Sequence, residues 1–253
     1  PETGRMRVGA HFAAGPPQGE ISPLGGQRPA QRWSVGALIF DMDGTMVDSM
    51  PWHRRAWIEF ARRRELAVDV PDLMRRTTGR TAFECACELM GRTVSKDEAA
   101  QITLEKETIY RELFGPEFRE VRGFRRFARD AASRGLKIAV GTAGDRHNIA
   151  FAMDKLRMDP APLAIVGGDE GLPGKPQPDI FLEVARRIGA DPARCIVFED
   201  APFGIEAARR GGMHAVAVCS SHGADELTGP HVLAAVQDFD ELIDSNFLET
   251  LHV

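Results

Sequence analysis

The chain of 253 residues has few of the features that mark membrane-spanning or disulfide-stabilised proteins. No apolar run approaches the roughly 20 residues that a bilayer-spanning helix needs, and no charged-then-apolar leader opens the sequence. Four cysteines are too few for a disulfide framework in a chain of this length, and the Cys-x-Cys pair at 85 and 87 lacks the second pair or histidine of a zinc site. We therefore expect a reduced, cytoplasmic setting and no membrane partner.

An excess of basic charge is also lacking. The formal net charge is −5, whereas nucleic-acid-binding domains carry a basic stripe. The short run Arg62–Arg64 is interpreted as a solvated helix face. With 43% hydrophobic and 27% charged residues, the composition is that of an ordinary globular protein, compatible with a monomer and without a nucleic-acid partner.

The sequence falls into three parts. Residues 1–33 are about one third glycine and proline and are predicted to form a flexible tail. Beyond them, short apolar runs alternate with helix-length stretches, which predicts a parallel sheet covered by helices on both faces. The predicted strands are 35–40, 136–140, 163–166, 195–198 and 214–218, and the predicted helices are about 122–134, 145–157, 178–189 and 202–211.

Residues 50–117 interrupt this alternation. Pro51 suits a first helical turn, and helical periodicity continues through stretches near 71–76, 80–91 and 96–114 without a convincing strand. We predict an α/β fold with a core of residues 34–49 and 118–253 and an all-helical insertion of residues 50–117.

Polar residues follow several predicted strands. Open parallel sheets bind ligands at the carboxyl ends of their strands, so these residues are expected to share one rim. They are Asp41, Asp43, Gly44, Thr142, Ala143, Lys175, Glu199 and Asp200. Taken singly, such residues are usually turns, caps or solvated loops, but four elements in order, each at a strand end or before the next helix, point to a shared site.

This set suits phosphoryl transfer to a carboxylate, which needs a nucleophile, a metal and donors for the phosphate oxygens. Several carboxylates on one rim repel each other unless a cation is bound, and hard oxygen ligands without His or Cys favour magnesium. Gly44 permits a tight turn in which the amide groups of residues 42–44 face an anion.

The motifs resemble those of the haloacid dehalogenase superfamily. They are Phe40-Asp-Met-Asp-Gly-Thr45, Thr142, Lys175 and Phe198-Glu-Asp200, and further details in 47–49, 175–181 and 199–205 are similar to the beta-phosphoglucomutase-like branch. The resemblance covers about residues 35–240 and implies a Rossmann-like core with a helical cap.

The resemblance also implies residue roles. Asp41 is the expected nucleophile, and Asp43 the expected general acid and base. Magnesium is expected to be held by Asp41, by the backbone carbonyl of Asp43 and by Asp200, with Glu199 nearby or ligating. Thr142, Lys175 and the Ala143 amide are expected to bind the phosphoryl group. An aspartate at position 43 points to phosphate esters, since dehalogenases and phosphonatases lack one there.

The resemblance also includes residues of the insertion. His53 stands where the related branch has a histidine that positions the acid/base aspartate, and Arg80 matches an arginine that binds the distal part of the substrate. Trp57 lies one helical turn beyond His53, with plain packing as the alternative role.

The sequence leaves three functions open, of which two are enzymatic and one is not. The first is a magnesium-dependent phosphatase of a small phosphorylated metabolite such as a sugar phosphate. The second is a beta-phosphoglucomutase-type mutase, in which a lysine of the cap takes part. Alignment by eye places Glu112 near that lysine, with Lys106 as the nearest lysine, which weighs against the mutase. The third is a catalytically silent binding protein, against which the complete set of motif carboxylates argues.

Overall fold

A computed structural model describes residues 34–253. The predicted tail, residues 1–33, lies outside the described residues. The strands are β1 Ala37–Phe40, β2 Lys137–Gly141, β3 Ile165–Val166, β4 Cys195–Glu199, β5 His214–Val218 and β6 Val232–Val236. The helices are α1 Met50–Arg63, α2 Val70–Thr77, α3 Ala82–Met90, α4 Lys96–Phe114, α5 Phe124–Ser133, α6 Arg146–Leu156, α7 Asp179–Arg187, α8 Pro202–Arg210, α9 Phe239–Asp244 and α10 Phe247–Thr250.

All six strands form one parallel sheet in the order β3-β2-β1-β4-β5-β6. The first strand, β1, lies in the middle of the sheet between β2 and β4. From β1 the strands continue to one side as β2 and β3 and to the other side as β4, β5 and β6. Residues that follow β1, β2 and β4 therefore lie side by side at the crevice where such sheets bind ligands.

The alternation of side chains along β1 divides the core into two layers. Leu38 and Phe40 pack into one buried cluster, and Ala37 and Ile39 into the other. Phe40 stacks on Phe198 of β4 with ring centroids 4.6 Å apart. Because both faces of β1 are covered, its sequence is continuously apolar. This is the predicted α/β class, a Rossmann-like parallel sheet with helices on both faces.

Helices α1–α4 lie between β1 and α5, and no strand interrupts residues 50–114. The segments that enter and leave this insertion lie side by side. The amide of Asp48 donates to the carbonyl of Arg119 (3.1 Å), and the amide of Val121 donates to the carbonyl of Met46 (3.0 Å). We call residues 50–117 the cap. None of the helices in residues 34–253 has the length and apolar character of a membrane span.

Local sequence explains the cap helices. Thr81 begins α3 with a capping box, in which its hydroxyl accepts from the Glu84 amide and the Glu84 carboxylate accepts from the Thr81 amide. Ser95 begins α4 by accepting from the amide of Glu98 (3.1 Å). Gly91 ends α3 in the left-handed conformation at φ 61°.

Candidate active site

Three carboxylates converge where β1 and β4 end. Oxygens of Asp41, Glu199 and Asp200 all lie within 4.8 Å of one another, and the three residues are buried. Lys175 is the cation beside them: its ammonium donates to Oδ1 of Asp41 (2.5 Å) and to Oε1 of Glu199 (2.7 Å). One lysine thus faces three buried carboxylates.

This excess of negative charge perturbs the acids. Burial, together with the charge of Glu199 and against the opposing charge of Lys175, raises the pKa of Asp41 to about 7. Burial and the charges of Glu199 and Asp41 raise the pKa of Asp200 well above its ordinary value. A divalent cation relieves this repulsion, so the donor set fits a hard metal ion such as magnesium.

Neighbouring groups fix the orientation of the cluster. Oε2 of Glu199 accepts from the amide of Ala201 (2.8 Å), so each of its oxygens already has one partner. Asp200 accepts from the hydroxyl of Ser221. These bonds hold the carboxylates at fixed positions before any ligand binds.

Gly44 differs from the expectation. Its amide donates to the carbonyl of Val47 (2.9 Å), so it is not directed to an anion. A β-carbon at this position would lie 2.1 Å from Oδ2 of Asp200, and φ is +80°. Glycine is needed here for the turn and to leave room for Asp200, rather than to bind phosphate.

Asp43 lies outside the carboxylate cluster and is hydrogen-bonded to other groups. Its Oδ1 accepts from the hydroxyl of Ser49 (2.7 Å) and lies 3.1 Å from Nε2 of His53 and 3.4 Å from the hydroxyl of Tyr110. Burial acts to raise the pKa of Asp43, but the interaction with His53, the hydrogen bond from Ser49 and the charge of Lys106 outweigh it and lower the pKa. Asp43 is therefore ionised at neutral pH.

A cavity of about 130 Å³ lies between these strand ends and the cap. Asp41, Asp43, Glu199 and Asp200 line its floor, with Thr142 and Ala143 beside them. The hydroxyl of Thr142 accepts from the amide of Gly144 (3.0 Å), so its own hydrogen is available to a ligand oxygen. The Lys175 side chain is fully buried and bonded to Asp41 and Glu199, so it reaches the cavity through these two acids rather than lining it.

The cap supplies the roof of the cavity, which includes His53, Trp57 and Arg80. The Arg80 guanidinium stacks over Phe203 at 5.1 Å, and its Nε is buried without a hydrogen-bond partner among the described residues. Cys85 also lines the cavity, but burial raises the pKa of its thiol to about 12, so it is neutral and a poor nucleophile.

Lys106 corrects the sequence analysis. Its ammonium lies 2.6 Å from Nδ1 of His53 and lines the cavity, whereas Glu112 is exposed on the outer face of the cap. The alignment by eye did not consider the helical face: Lys106 and Tyr110, four residues apart, both point toward His53, whose ring stacks on Tyr110 at 3.8 Å. That spacing was the signal that could have identified both residues.

The same contact fixes the hydrogen-bond roles of the two ring nitrogens of His53. An ammonium group has no acceptor, so Nδ1 of His53 accepts from Lys106. Nε2 then carries the proton and donates it to Asp43. His53 thus acts as a hydrogen-bond donor to the carboxylate, which requires this tautomer.

Comparison with known proteins agrees with this geometry. A sequence model described as haloacid dehalogenase-like hydrolase matches residues 35–212. The chain belongs to this family. It is 33% identical to the fructose-1-phosphate phosphatase YqaB of Escherichia coli over 193 residues, covering 72% of this chain and 95% of the relative. It is 32% identical to hexitol phosphatase A of Escherichia coli over 181 residues, covering 72% and 82%.

The fold has close structural neighbours. A beta-phosphoglucomutase from Clostridium difficile superposes with a TM-score of 0.73 at 24% identity, covering 85% of this chain and 96% of the neighbour. At this identity the likeness concerns the fold. Together with the named relatives, the family match assigns the chain as a haloacid dehalogenase-like phosphatase.

Proposed function

We propose that this protein is a magnesium-dependent phosphatase of a small phosphorylated metabolite and acts through an aspartyl-phosphate intermediate. The observation that carries the proposal is the convergence of Asp41, Glu199, Asp200 and Lys175 beneath a cavity that Asp43 also faces. This arrangement supplies a nucleophile, metal ligands, a cation and an acid/base group within one site.

In the first step, a carboxylate oxygen of Asp41 attacks phosphorus while the bond from phosphorus to the ester oxygen breaks. Protonated Asp43 gives its proton to the departing oxygen, which leaves as an alcohol. The pKa of Asp43 is lowered by its neighbours, so its acid role requires the approaching phosphate dianion to raise that pKa. In the second step, Asp43 takes a proton from water as the water oxygen attacks phosphorus. Inorganic phosphate leaves, and the Asp41 carboxylate is restored.

Three residues support these steps without taking part in bond exchange. Lys175 and Thr142 donate hydrogen bonds to phosphoryl oxygens, and the amide of Ala143 adds a third donor. The Lys175 ammonium donates to a carboxylate oxygen of Asp41, so it is held next to the attacking group.

Magnesium fits the donors of Asp41, Asp200 and Glu199, together with the backbone carbonyl of Asp43. When bound, it supplies positive charge that neutralises the phosphate and the clustered carboxylates. The perturbed acids support this role, because without a cation burial favours their protonated and less nucleophilic forms.

The substrate class follows from the cavity and the relatives. Arg80, Lys106 and His53 place polar groups opposite Asp41, suited to the hydroxyls or second anionic group of a small metabolite. The named relatives are a fructose-1-phosphate phosphatase and a hexitol phosphatase. We therefore propose a sugar phosphate as substrate. A cytoplasmic setting and the lack of nucleic-acid or membrane partners stay predictions from composition.

The test is Asp41→Asn, which keeps the size of the side chain and removes its nucleophilic charge. We expect the variant to fold, with a melting temperature near that of the wild type, and to lose hydrolysis of para-nitrophenyl phosphate and the acid-stable, hydroxylamine-sensitive phosphoryl label that the wild type acquires. Undiminished hydrolysis by the variant would overturn the assignment of the nucleophile. Full activity in excess chelator would overturn the role of the metal.

Lys106 favours a second candidate, the mutase, since a lysine does stand in the cavity. The two functions differ in whether the phosphoryl group passes to water or returns to the sugar. Incubation with beta-glucose 1-phosphate separates them: a phosphatase releases inorganic phosphate, and a mutase yields glucose 6-phosphate.

A further inference from the structure

One buried side chain of the core is bonded to the cap through both ends of its amide. Asn148 of α6 donates from Nδ2 to Oε2 of Glu107 (2.8 Å) and accepts at Oδ1 from Arg111 (2.7 Å). Glu107 and Arg111 lie one turn apart on α4. With 3% of its surface exposed, Asn148 makes these bonds out of contact with solvent.

The bonds continue from Asn148 to the reacting groups. Oε1 of Glu107 accepts from Lys106 (2.8 Å), Lys106 donates to Nδ1 of His53 (2.6 Å), and Nε2 of His53 donates to Asp43 (3.1 Å). The path leaves the core at Asn148, crosses the cap and returns to the core at Asp43. Every member is buried or half-buried.

Each link determines the next. The amide of Asn148 orients the Glu107 carboxylate, and that carboxylate holds the Lys106 ammonium against His53. Lys106 in turn selects the tautomer in which His53 donates to Asp43. Without the amide, one oxygen of a buried carboxylate loses its partner in the closed arrangement, which favours separation of α4 from α6 and entry of water.

We propose that Asn148 is a positioning residue that keeps the cap closed on the core and aligns Glu107, Lys106 and His53 toward Asp43. The proposal rests on the proposed function insofar as it assigns Asp43 to proton transfer. Asn148 lines the cavity, but both polar atoms of its amide are bonded to the cap, so it acts through Glu107 and Arg111.

The decisive variants exchange the amide and the carboxylate. Asn148→Asp puts a second carboxylate against Glu107, so we expect kcat/KM for para-nitrophenyl phosphate to fall by about 10- to 100-fold, the range for a lost hydrogen bond to a charged group. Adding Glu107→Gln restores one amide and one carboxylate in reversed positions. We expect the double variant to recover most of that loss, which a general defect in folding does not predict.

His147→Asp is the matched control. It introduces the same charge in the same turn of α6, but at an exposed position. We expect it to keep wild-type kcat/KM. Glu107→Gln alone serves as the second control, because its own effect on Lys106 must be known before the recovery is measured.

Hydrogen–deuterium exchange provides a readout independent of turnover. In Asn148→Asp, amides of α4 and of the first turns of α6 should exchange faster than in the wild type and in His147→Asp, and they should slow again in the double variant. Wild-type activity and exchange in Asn148→Asp, or a double variant as defective as Asn148→Asp, would overturn the proposal. If the wild type hydrolyses no phosphate ester, the proposed function fails, and the exchange data still decide whether Asn148 closes the cap.

Discussion

Gly204→Ala sets a gain in helix propensity against a collision at the active site. Gly204 lies in the first turn of α8, where alanine is favoured over glycine by about 1 kcal/mol on propensity alone. A β-carbon there would lie 1.8 Å from Oε1 of Glu199 and 1.9 Å from its Cδ. Glu199 is 1% exposed and bonded at both oxygens, so it cannot move aside without breaking its bond to Lys175 or to Ala201.

The magnitudes decide the sign. Overpacking of a buried site costs about 1–3 kcal/mol, and loss of a hydrogen bond to a charged group costs about 1.5–3 kcal/mol. Against a propensity gain of about 1 kcal/mol, the free energy of unfolding should fall by about 1.5–5 kcal/mol. For a protein of this size that corresponds to a fall in Tm of about 3–20 °C.

Thermal unfolding followed by circular dichroism, in buffer with chelator, measures this change without contribution from the metal. Gly115→Ala is the matched control, because Gly115 has helical dihedral angles (φ −50°, ψ −47°) and the nearest atom to its added β-carbon is 3.9 Å away. The control should keep or slightly raise Tm. A Tm for Gly204→Ala at or above the wild-type value would refute the claim that Glu199 is held rigidly.

Two further predictions concern the metal and the substrate. Burial raises the pKa of the Asp41 carboxyl group from its ordinary value of 3.8 to about 7. The folded metal-free protein therefore binds the proton of this carboxyl group more tightly than the unfolded chain does. The free energy of unfolding of the metal-free protein should therefore fall as the pH rises between these two values. The increase in Tm caused by magnesium should be larger at about pH 8 than at about pH 5.5. Equal increases at the two pH values would contradict this reasoning. Arg80→Ala should raise KM far more for the best sugar phosphate from a phosphate-release screen than for para-nitrophenyl phosphate, since Arg80 lies on the cap side of the cavity. Equal changes in the two KM values would show that Arg80 does not select the substrate.

The central strands were predictable from sequence because they are buried on both faces. Continuous apolar runs, each followed by polar residues, identify β1 and β4. The same pattern predicts the acids at the ends of these two strands. Strand β6 was missed because it lies at the edge of the sheet, where Val232 and Leu233 are only half-buried and the apolar signal is weaker.

Contacts between cap and core were not predictable in the same way. Whether Lys106 or Glu112 faces the cavity depends on the angle at which α4 packs, and neither residue type nor spacing from Asp41 determines that angle. Asn148 occupies an ordinary position in the first turn of a helix, so its role becomes visible only when α4 is placed against α6. Gly44 was recognised as the residue of a tight turn, but the room that it leaves for Asp200 was not foreseen.

Asp43 follows β1 in the core, yet two partners of its side chain, His53 and Tyr110, belong to the cap. Replacement of the cap by that of a relative therefore changes the proton affinity of the core carboxylate together with the shape of the cavity. Substrate range and acid–base behaviour are inherited as one unit in such a chimera. New specificities should accordingly arise more readily through exchanges at a position such as Arg80, which contacts Phe203 and Glu88 rather than the partners of Asp43.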